Sequence, residues 1–350
     1  MSLHSVFKVG GFVFRRRMEA RLPLLCVLAC VFTAVARAGD NPDAIADKVR
    51  SIFEHCRGAV VKIQAVDEHG TLFGTGFFID PSGTLYTSYT IGGDTRDITV
   101  LLGGEKVPAR RLLGDSRSGI AILKIEKQTP FLALGKSSDM GVSSSVMTVG
   151  YPMELPLTPA IGLVAGFNVK YLGRFFSTAH IRASLPVERG EGGAPLLNMR
   201  GEAVGVLISS IEDGNGCFAL PIEAAQKVHK DFLRFGEVRP GWVGMTVAAG
   251  EKEGVQVQDV AADAPAAKSG VKKGDVLVQV GVTKIKSPED VLNASFYLTA
   301  DDEVSVTVLR AGETLTLKIE PVTHPSLERD TAQVLGPQPP GGAALLKPEK

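Results

Sequence analysis

One glycine-rich loop constrains the fold of this chain more than any other stretch. Residues 189–198 read Arg-Gly-Glu-Gly-Gly-Ala-Pro-Leu-Leu-Asn. Several glycines beside a proline cannot form a helix and make a poor strand, but they build a tight loop whose successive backbone N–H groups can form an anion-binding nest. The apolar run Ala203–Ile208 follows at once, so we expect the loop to lead into a buried strand.

Length and charge set the broad class of the protein. The chain has 350 residues, with Lys+Arg and Asp+Glu both 38 and a formal net charge of zero. At about 100–200 residues per domain, this length predicts two domains. The charge balance favours neither nucleic acid nor an anionic membrane as a partner. The 39 glycines and 20 prolines, with many short β-branched runs, favour a mainly β architecture.

The four cysteines are distributed unevenly. Cys26 and Cys30 lie in an apolar N-terminal run, whereas Cys56 and Cys217 lie in the body of the chain. No CxxC or Cys/His metal spacing occurs, so we predict no metal site and no cofactor. Cys56 and Cys217 are either a disulfide, if the protein is exported, or two inert buried thiols.

Residues 1–38 have the pattern of a signal peptide. Arginines at 15–21 precede the apolar run 22–35, and Ala36-Arg37-Ala38 supplies an A-x-A cleavage site. We therefore expect export, with Met18 as an alternative start and residues 39–48 as a short N-terminal segment. An uncleaved anchor, or lipidation at Cys30, is the alternative form of attachment.

The middle of the chain predicts closed antiparallel barrels. Helical spacing covers residues 41–56, and short apolar runs bounded by Gly/Pro turns then predict about ten strands without alternating helices. The predicted strands are residues 59–66, 74–79, 85–91, 97–102, 120–125, 145–149, 162–169, 180–183, 203–208 and 217–220. Ile222–Phe235 is predicted to be a closing helix.

A second, smaller domain follows the polar linker at residues 236–241. Strands are predicted at 242–247, 254–260 and within 269–280. Ser287-Pro288-Glu289-Asp290 predicts a capped helix start, with serine at the N-cap and proline at N1; this helix is expected to reach about Leu298. Two alternating runs, 303–309 and 314–319, flank Ala311-Gly312 and predict a hairpin.

Five ordered landmarks give residues 49–236 a family resemblance. They are Gly74–Gly83, Leu85–Ile91, Asp115–Ile125, Val149–Pro152 and Ile161–Val164, all preceding the glycine-rich loop. In this order they resemble the trypsin-like proteases of the HtrA/DegP family. The resemblance implies a mainly β fold, a trypsin-like double β-barrel.

The same resemblance assigns the three positions of the catalytic triad to residues that lack the required side chains. The histidine position is Thr90, the aspartate position is Gly119 and the nucleophilic serine position is Gly192. A serine protease needs a nucleophile, a base and a carboxylate that orients the base. We therefore predict no catalytic residues and no classical proteolysis.

Further departures surround the loop. Gly190, Gly192 and Gly193 are predicted to be a remnant of the oxyanion loop, but Glu191 replaces the family's asparagine and would disfavour an oxyanion. Ala194 replaces a glycine. A displaced triad has little support, since His180 and Ser184 are predicted to share a strand face but to lie too far apart, and His55, His69 and His229 have no recognisable partner.

Residues 237–321 resemble an HtrA-type PDZ domain, a small β-barrel with capping helices. The run Ala267–Asp275 is its most specific feature. Trp242, Val243, Gly244 and Met245 match the carboxylate-binding loop, and a bound peptide strand would pair beside Met245–Val247. Val291 and Ser295 are expected to border the pocket. The alternative for Trp242 is an ordinary packed aromatic.

These inferences lead to an exported HtrA-like pseudoprotease that binds protein C-termini or unfolded polypeptides through its PDZ domain. A chaperone, scaffold or regulatory role in periplasmic or cell-envelope protein quality control follows, with a homo-oligomer (a trimer) or active HtrA relatives as partners. The alternatives are an active HtrA-type endopeptidase with an unrecognised or misaligned catalytic site, and a purely structural oligomer subunit. From residue 322 to 350, Pro, Gly and charged residues predict a disordered tail.

Overall fold

The structure is a computed structural model that describes residues 43–153, 155–211, 215–250 and 254–324. The predicted signal peptide, residues 39–42 of the predicted N-terminal segment and residues 325–350 of the predicted tail lie outside these ranges. The described residues from Lys48 onward form one compact unit. No described helix combines the length and the apolar character that crossing a bilayer requires.

After helix α1 (Asp43–Cys56), seven strands form an antiparallel sheet in the order β5-β4-β1-β2-β3-β7-β6. They are β1 (Val60–Val66), β2 (Thr71–Phe78), β3 (Thr84–Ser88), β4 (Arg96–Leu102), β5 (Glu105–Pro108), β6 (Arg110–Asp115) and β7 (Ile120–Lys124). A one-turn helix, α2 (Tyr89–Gly92), separates β3 from β4. This sheet does not close among the described strands, whereas the sequence predicted a closed barrel.

The next six strands do close, in the order β10-β13-β12-β11-β8-β9. They are β8 (Ser145–Gly150), β9 (Thr158–Tyr171), β10 (Arg174–Ser184), β11 (Pro195–Asn198), β12 (Ala203–Ser210) and β13 (Cys217–Pro221), and helix α3 (Ile222–Phe235) follows. The predicted bounds of α3 are confirmed. We call β1 to β13 with α2 and α3 the barrel domain.

For five strands the difference from the prediction has a local cause. The segment 85–91 ends its strand at Ser88, because α2 begins at Tyr89. Strands β5 and β6 were not predicted, since their apolar residues are few and interrupted by charges. Strands β9 and β10 are longer than predicted and form one hairpin, whose turn places Leu172 and Gly173 at positive φ.

The C-terminal domain comprises the remaining elements. Its sheet has the order β15-β16-β17-β19-β20, with β18 paired to β17, and β14 pairs separately with β21. The elements are β14 (Gly241–Trp242), β15 (Met245–Ala249), β16 (Val255–Val260), α4 (Pro265–Lys268), β17 (Val276–Val280), β18 (Thr283–Lys284), α5 (Pro288–Phe296), β19 (Val304–Arg310), β20 (Glu313–Ile319) and β21 (Val322–Thr323). Because β21 is a strand, the prediction that disorder begins at residue 322 is wrong.

Local chemistry explains the two best-predicted parts of this domain. The Ser287 side chain accepts from the Asp290 N–H at 3.3 Å, and the Asp290 carboxylate accepts from the Ser287 N–H at 2.9 Å, so the predicted helix start is a full capping box. The Asp275 carboxylate, 1% exposed, accepts two bonds of 2.7 Å from Arg310. These bonds lower the pKa of Asp275 and fix the start of β17 against the end of β19.

The two domains share a buried polar junction and part of one core. The Asp231 carboxylate, on α3, accepts bonds from Lys227 Nζ at 2.6 Å, from Thr299 Oγ1 at 3.1 Å and from the Arg239 N–H at 3.2 Å. The Phe296 ring, on α5, is 1% exposed and belongs to the same hydrophobic cluster as the barrel core.

The two described cysteines are free thiols in different hydrophobic clusters. Both are fully buried, which raises the pKa of Cys56 to about 11 and that of Cys217 to about 12. Of the two alternatives left by the sequence, the structure has the pair of buried thiols.

We predict that Asp231→Ala strongly destabilises the junction between the domains. The Lys227 side chain is only 10% exposed, so the substitution would leave its ammonium group buried without a counter-ion. Breaking such a buried pair costs about 3–5 kcal/mol. Urea unfolding followed by fluorescence measures the effect. Glu303→Ala, which removes an exposed partner of Lys318, is the matched control and should change stability little; equal effects of both variants would contradict the assignment.

We also predict that Cys56 and Cys217 resist alkylation in the native protein. Burial keeps both thiols protonated at pH 8, and only the thiolate reacts. Mass spectrometry after iodoacetamide treatment should find neither cysteine modified in buffer and both modified in urea without reductant. Modification in urea only after a reductant is added would instead indicate a disulfide.

Candidate functional site

The three predicted triad positions lie together where α2 meets two loops of the barrel domain. Thr90 is on α2, and its neighbour Tyr89 donates its N–H to the Gly119 carbonyl at 2.7 Å. The Ser88 hydroxyl is 2.9 Å from the Thr90 hydroxyl. A Cβ placed on Gly192 would lie 3.3 Å from Ser88 Oγ. The three positions that the sequence assigned to a triad are therefore neighbours in the fold.

The groups at this place do not form a proton-transfer system. The side chains available are the Ser88 and Thr90 hydroxyls, bonded to each other, and Ser88 is 1% exposed. A hydroxyl becomes a nucleophile only when an adjacent base takes its proton. Gly119 has a φ of +80°, and a Cβ there would lie 2.9 Å from the Ile208 Cγ2 atom. A carboxylate at this position would require both backbone strain and a shift of Ile208.

Thr75 holds the glycine-rich loop in place. Its N–H donates to the Gly192 carbonyl at 3.0 Å and its hydroxyl donates to the Gly190 carbonyl at 2.8 Å. Gly193 has a φ of +88°, and a Cβ there would come within 2.3 Å of the Thr75 carbonyl oxygen. Glycine is therefore required at Gly193 by the fold itself, whatever the loop does chemically.

Part of the predicted anion nest is present. The Gly190 and Gly192 N–H groups have no acceptor among the described residues. Gly193 does not belong with them, contrary to its sequence assignment, because its N–H donates to the Leu207 carbonyl at 2.8 Å. The remnant thus consists of two backbone amides.

Glu191 turns its carboxylate into the protein. The side chain is 3% exposed, accepts a 2.6 Å bond from the Glu188 N–H and packs against Gly150. Burial raises the pKa of Glu191 above its ordinary value. This carboxylate serves as an internal support of the loop, and it introduces an acidic group one residue from each nest amide.

The buried histidines have structural partners. His180 is bonded through Nδ1 to the Thr178 carbonyl at 2.9 Å and stacks on Phe176. His229, for which the sequence indicated no partner, is 3.0 Å from the Tyr86 hydroxyl. Burial lowers the pKa of both rings. Neither ring is bonded to a serine, threonine or cysteine side chain among the described residues.

The pairing of His180 with Ser184 on one strand face is wrong. His180 is 3% exposed, whereas Ser184 is exposed to solvent. The pairing register of β10 with β9 shifts between Arg182 and Ala183, which changes the alternation of the two faces. No displaced catalytic pair forms there.

The C-terminal domain contains a cavity of about 430 Å³. All six residues that the sequence proposed for peptide binding line it, from the loop between β14 and β15 and from α5. They are Trp242, Val243, Gly244, Met245, Val291 and Ser295. The structure therefore brings together side chains and backbone that are about 50 positions apart in the sequence.

The loop before β15 has the geometry of an amide donor site. The Val243 carbonyl accepts from the Ala266 N–H at 2.9 Å and the Gly244 carbonyl from the Ala261 N–H at 2.8 Å. The N–H groups of Val243 and Gly244 have no acceptor among the described residues. Gly244 has a φ of +75°, and a Cβ there would come within 2.3 Å of Ala264. Strand β15 is at the edge of its sheet and can accept a further strand.

Trp242 has a packing role in this loop. Its ring lies 5.4 Å from the His324 ring, and its Cη2 atom would be 2.8 Å from a Cβ on Gly244. The tryptophan thus fills the space beside the glycine and lines the cavity at the same time. Packing and a binding role are compatible here rather than exclusive.

Sequence reasoning missed several lining residues. Most are apolar residues of the C-terminal domain, such as Val280, Leu298 and Val306, whose pattern is that of ordinary core. Arg117 and Ser177 come from the barrel domain. No local pattern reveals them, because their position depends on how the two domains dock.

The described residues contain no group of three or more His, Cys, Asp or Glu side chains that could hold a metal ion. The predicted absence of a cofactor stays a prediction.

Comparison with known proteins finds two family matches along the chain. The trypsin-like peptidase domain matches residues 74–206 and the PDZ domain matches residues 237–320. The chain is 28% identical over 290 residues to a probable periplasmic serine endoprotease DegP-like of Rhizobium meliloti, covering 77% of this chain and 57% of the relative. It is 28% identical over 265 residues to the protein of the same name from Chlamydia pneumoniae, covering 70% and 54%. The chain thus spans little more than half the length of these relatives.

Solved structures share the fold. The HtrA-type protease AlgW with tripeptide aligns with a TM-score of 0.66 at 23% identity, covering 79% of this chain and 97% of that chain. The serine endoprotease from Yersinia pestis aligns with a TM-score of 0.57 at 22% identity, covering 79% and 98%. These structures show the fold. The two domain matches, in the order in which they occur, and the DegP-like relatives identify the chain as HtrA-like, a trypsin-like peptidase domain followed by a PDZ domain.

Proposed function

We propose that this protein is an HtrA-like pseudoprotease that binds peptide C-termini or unfolded polypeptides in the cavity of its C-terminal domain. The observation that carries the proposal is the pair of unpaired loop amides, at Val243 and Gly244, beside an apolar cavity and a free strand edge. An extended peptide can add to β15, place its apolar side chains in the cavity and direct its terminal carboxylate to these amides.

The absence of proteolysis rests on the chemistry of the triad positions. Gly192 has no hydroxyl, Gly119 has no carboxylate and Thr90 cannot act as a base near neutral pH. In one well-studied serine protease, removing the nucleophile or the base costs a factor of about 10⁶ in turnover. The relatives are named endoproteases, so an active endopeptidase with an unrecognised catalytic site is the second candidate.

The remaining parts of the proposal concern location and assembly. The relatives are named periplasmic, and the A-x-A pattern before Gly39 is consistent with export to the periplasm or cell envelope. The trypsin-like domain, assigned to residues 49–236, would serve as scaffold or chaperone surface, and the PDZ domain, assigned to residues 237–321, would bind the peptide. A homo-oligomer such as a trimer, association with active HtrA relatives, or a purely structural subunit role would be distinguished by sedimentation and by peptide binding.

We predict that Gly244→Ala abolishes most peptide binding while Gly312→Ala does not. Both glycines have a positive φ, so each substitution carries a similar backbone cost of about 1–2 kcal/mol. Only the Cβ at Gly244 would collide, at 2.3 Å from Ala264, whereas the one at Gly312 meets open space. The measurement is retention of the purified protein on an immobilised peptide library with free C-terminal carboxylates.

Loss of about tenfold or more in affinity is expected for Gly244→Ala, because the two loop amides would no longer converge on a charged acceptor. Circular dichroism of both variants shows whether they are folded. Equal binding by wild type and Gly244→Ala would contradict a binding role for this loop.

We predict that neither the wild type nor Gly192→Ser cleaves unfolded casein. Gly192 is in an ordinary backbone conformation and its nearest neighbour would be Ser88 Oγ at 3.3 Å, so serine should be accommodated. The variant would still lack a base and its orienting carboxylate. Activity is measured by release of labelled fragments, with an active HtrA-type protease as positive control. Cleavage that stays with the wild-type protein through a second chromatography step would contradict the proposal and favour an active endopeptidase.

A further inference from the structure

Arg117 reaches from the barrel domain into the lining of the peptide cavity. It lies in the turn between β6 and β7, two residues before the degenerate triad position Gly119. Its guanidinium lies over the Phe296 ring, 4.8 Å from the ring centre, and Nη2 is 3.5 Å from the Phe296 carbonyl oxygen. These contacts hold the cation against α5, the helix that forms one wall of the cavity.

Arg117 has no ion-pair partner among the described carboxylates. Asp115 accepts the backbone N–H of Arg117 at 3.3 Å, but its carboxylate does not pair with the guanidinium. Burial against α5 lowers the pKa of Arg117, yet an arginine remains charged at any physiological pH. The cavity lining contains no Asp or Glu. Apart from His324, Arg117 is the only titratable side chain of the lining, and most of the other lining residues are apolar.

Ser177 is a second polar group with no partner at this cavity. It lies on β10 in the segment 176–179, where the pairing of β10 with β9 is interrupted. Its hydroxyl oxygen is buried and has no hydrogen-bond partner within the described part of the chain. Such groups are rare in folded proteins, since leaving a buried hydroxyl unsatisfied is costly. A ligand with a hydrogen-bonding group would satisfy it.

Resting on the proposed function, we propose that Arg117 pairs with the C-terminal carboxylate of the bound peptide, so that the barrel domain completes the peptide site. The ligand class is a polypeptide with a free C-terminus and an apolar last residue. This choice rests on charge complementarity. The residues lining the cavity include an arginine without a carboxylate partner and two residues with free amides, and those named contain no acid and are mostly apolar. A carboxylate paired with guanidinium inside such a cavity is held more strongly than by amides alone.

The geometry makes peptide affinity depend on the docking of the two domains. Asn293, on α5, accepts a 2.5 Å bond from the Thr178 hydroxyl and a 3.0 Å bond from the Ala179 N–H. These bonds and the Phe296 contact place Arg117 and Ser177 at the cavity. The former catalytic loop of the barrel domain thus contributes to ligand recognition in the C-terminal domain.

The test is fluorescence anisotropy with two labelled decapeptide pools on the purified chain without its predicted signal peptide. One pool ends in valine or phenylalanine with a free carboxylate, and the other is the same pool amidated at its C-terminus. We expect Arg117→Gln to weaken binding of the free-acid pool about ten- to a hundredfold and to leave the amidated pool unchanged. Arg117→Lys should retain most of the preference for the acid.

Arg96→Gln is the matched control, because Arg96 is an exposed arginine of the same domain and its removal changes the net charge equally. It should leave both affinities unchanged. Binding of the amidated pool by Arg117→Gln serves as the folding control. If Arg117→Gln keeps the wild-type ratio of acid to amide affinity, the inference is wrong while the proposed function stands. If the wild type binds neither pool, the proposed function itself fails, and the inference with it.

Discussion

The arrangement of the two domains depends on one buried carboxylate. The Asp231 carboxylate accepts hydrogen bonds from a lysine on its own helix, from a threonine hydroxyl of the C-terminal domain and from a backbone amide of the linker. Burying an ion pair carries a desolvation cost, which good geometry and further hydrogen bonds offset. Because the partners come from three segments, the network joins α3, the linker and the C-terminal domain. In this arrangement Arg117 and Ser177 line the cavity of the C-terminal domain.

The glycine-rich loop is held in place by contacts of its backbone. Thr75 binds the carbonyls of Gly190 and Gly192, and the backbone of Gly193 passes too close to Thr75 for any side chain. The loop then enters β11, whose Leu196 and Leu197 are fully buried in two different clusters. Its conformation is therefore tied to the barrel core. None of these contacts involves a side chain at residue 192, so the loop conformation does not depend on which side chain that position carries.

Sequence patterns within single segments predicted much of the secondary structure. They did not predict which residues of the two domains meet. Helix α3 was predicted to the residue, because its amphipathic period begins after Pro221 and ends at Gly236, which takes the left-handed conformation. The start of α5 at the Ser287 cap was also predicted, because the side chains of Ser287 and Asp290 form the capping box. By contrast, the run 85–91 has the composition of a continuous strand, and only the tertiary structure turns it into α2 at Tyr89. The family resemblance pointed to the six residues proposed for peptide binding, all of which line the cavity. Arg117 carried no sequence signal, since its place in the lining goes with a contact to Phe296 across 179 positions of sequence.

The position of Phe296 bears on how separable the domains are. This residue belongs by sequence to a helix of the C-terminal domain, yet its buried ring is part of the barrel core cluster and is flanked by the cations of Arg117 and Lys227. A C-terminal domain excised at the linker would expose this aromatic ring, and the remaining piece would lose the ring that packs against Arg117 and Lys227. The boundary near residue 236 thus separates two domains in the sequence, but the barrel core cluster extends across it through Phe296. Exchange of this domain between family members by recombination would succeed only where the incoming helix carries an aromatic residue at the same place.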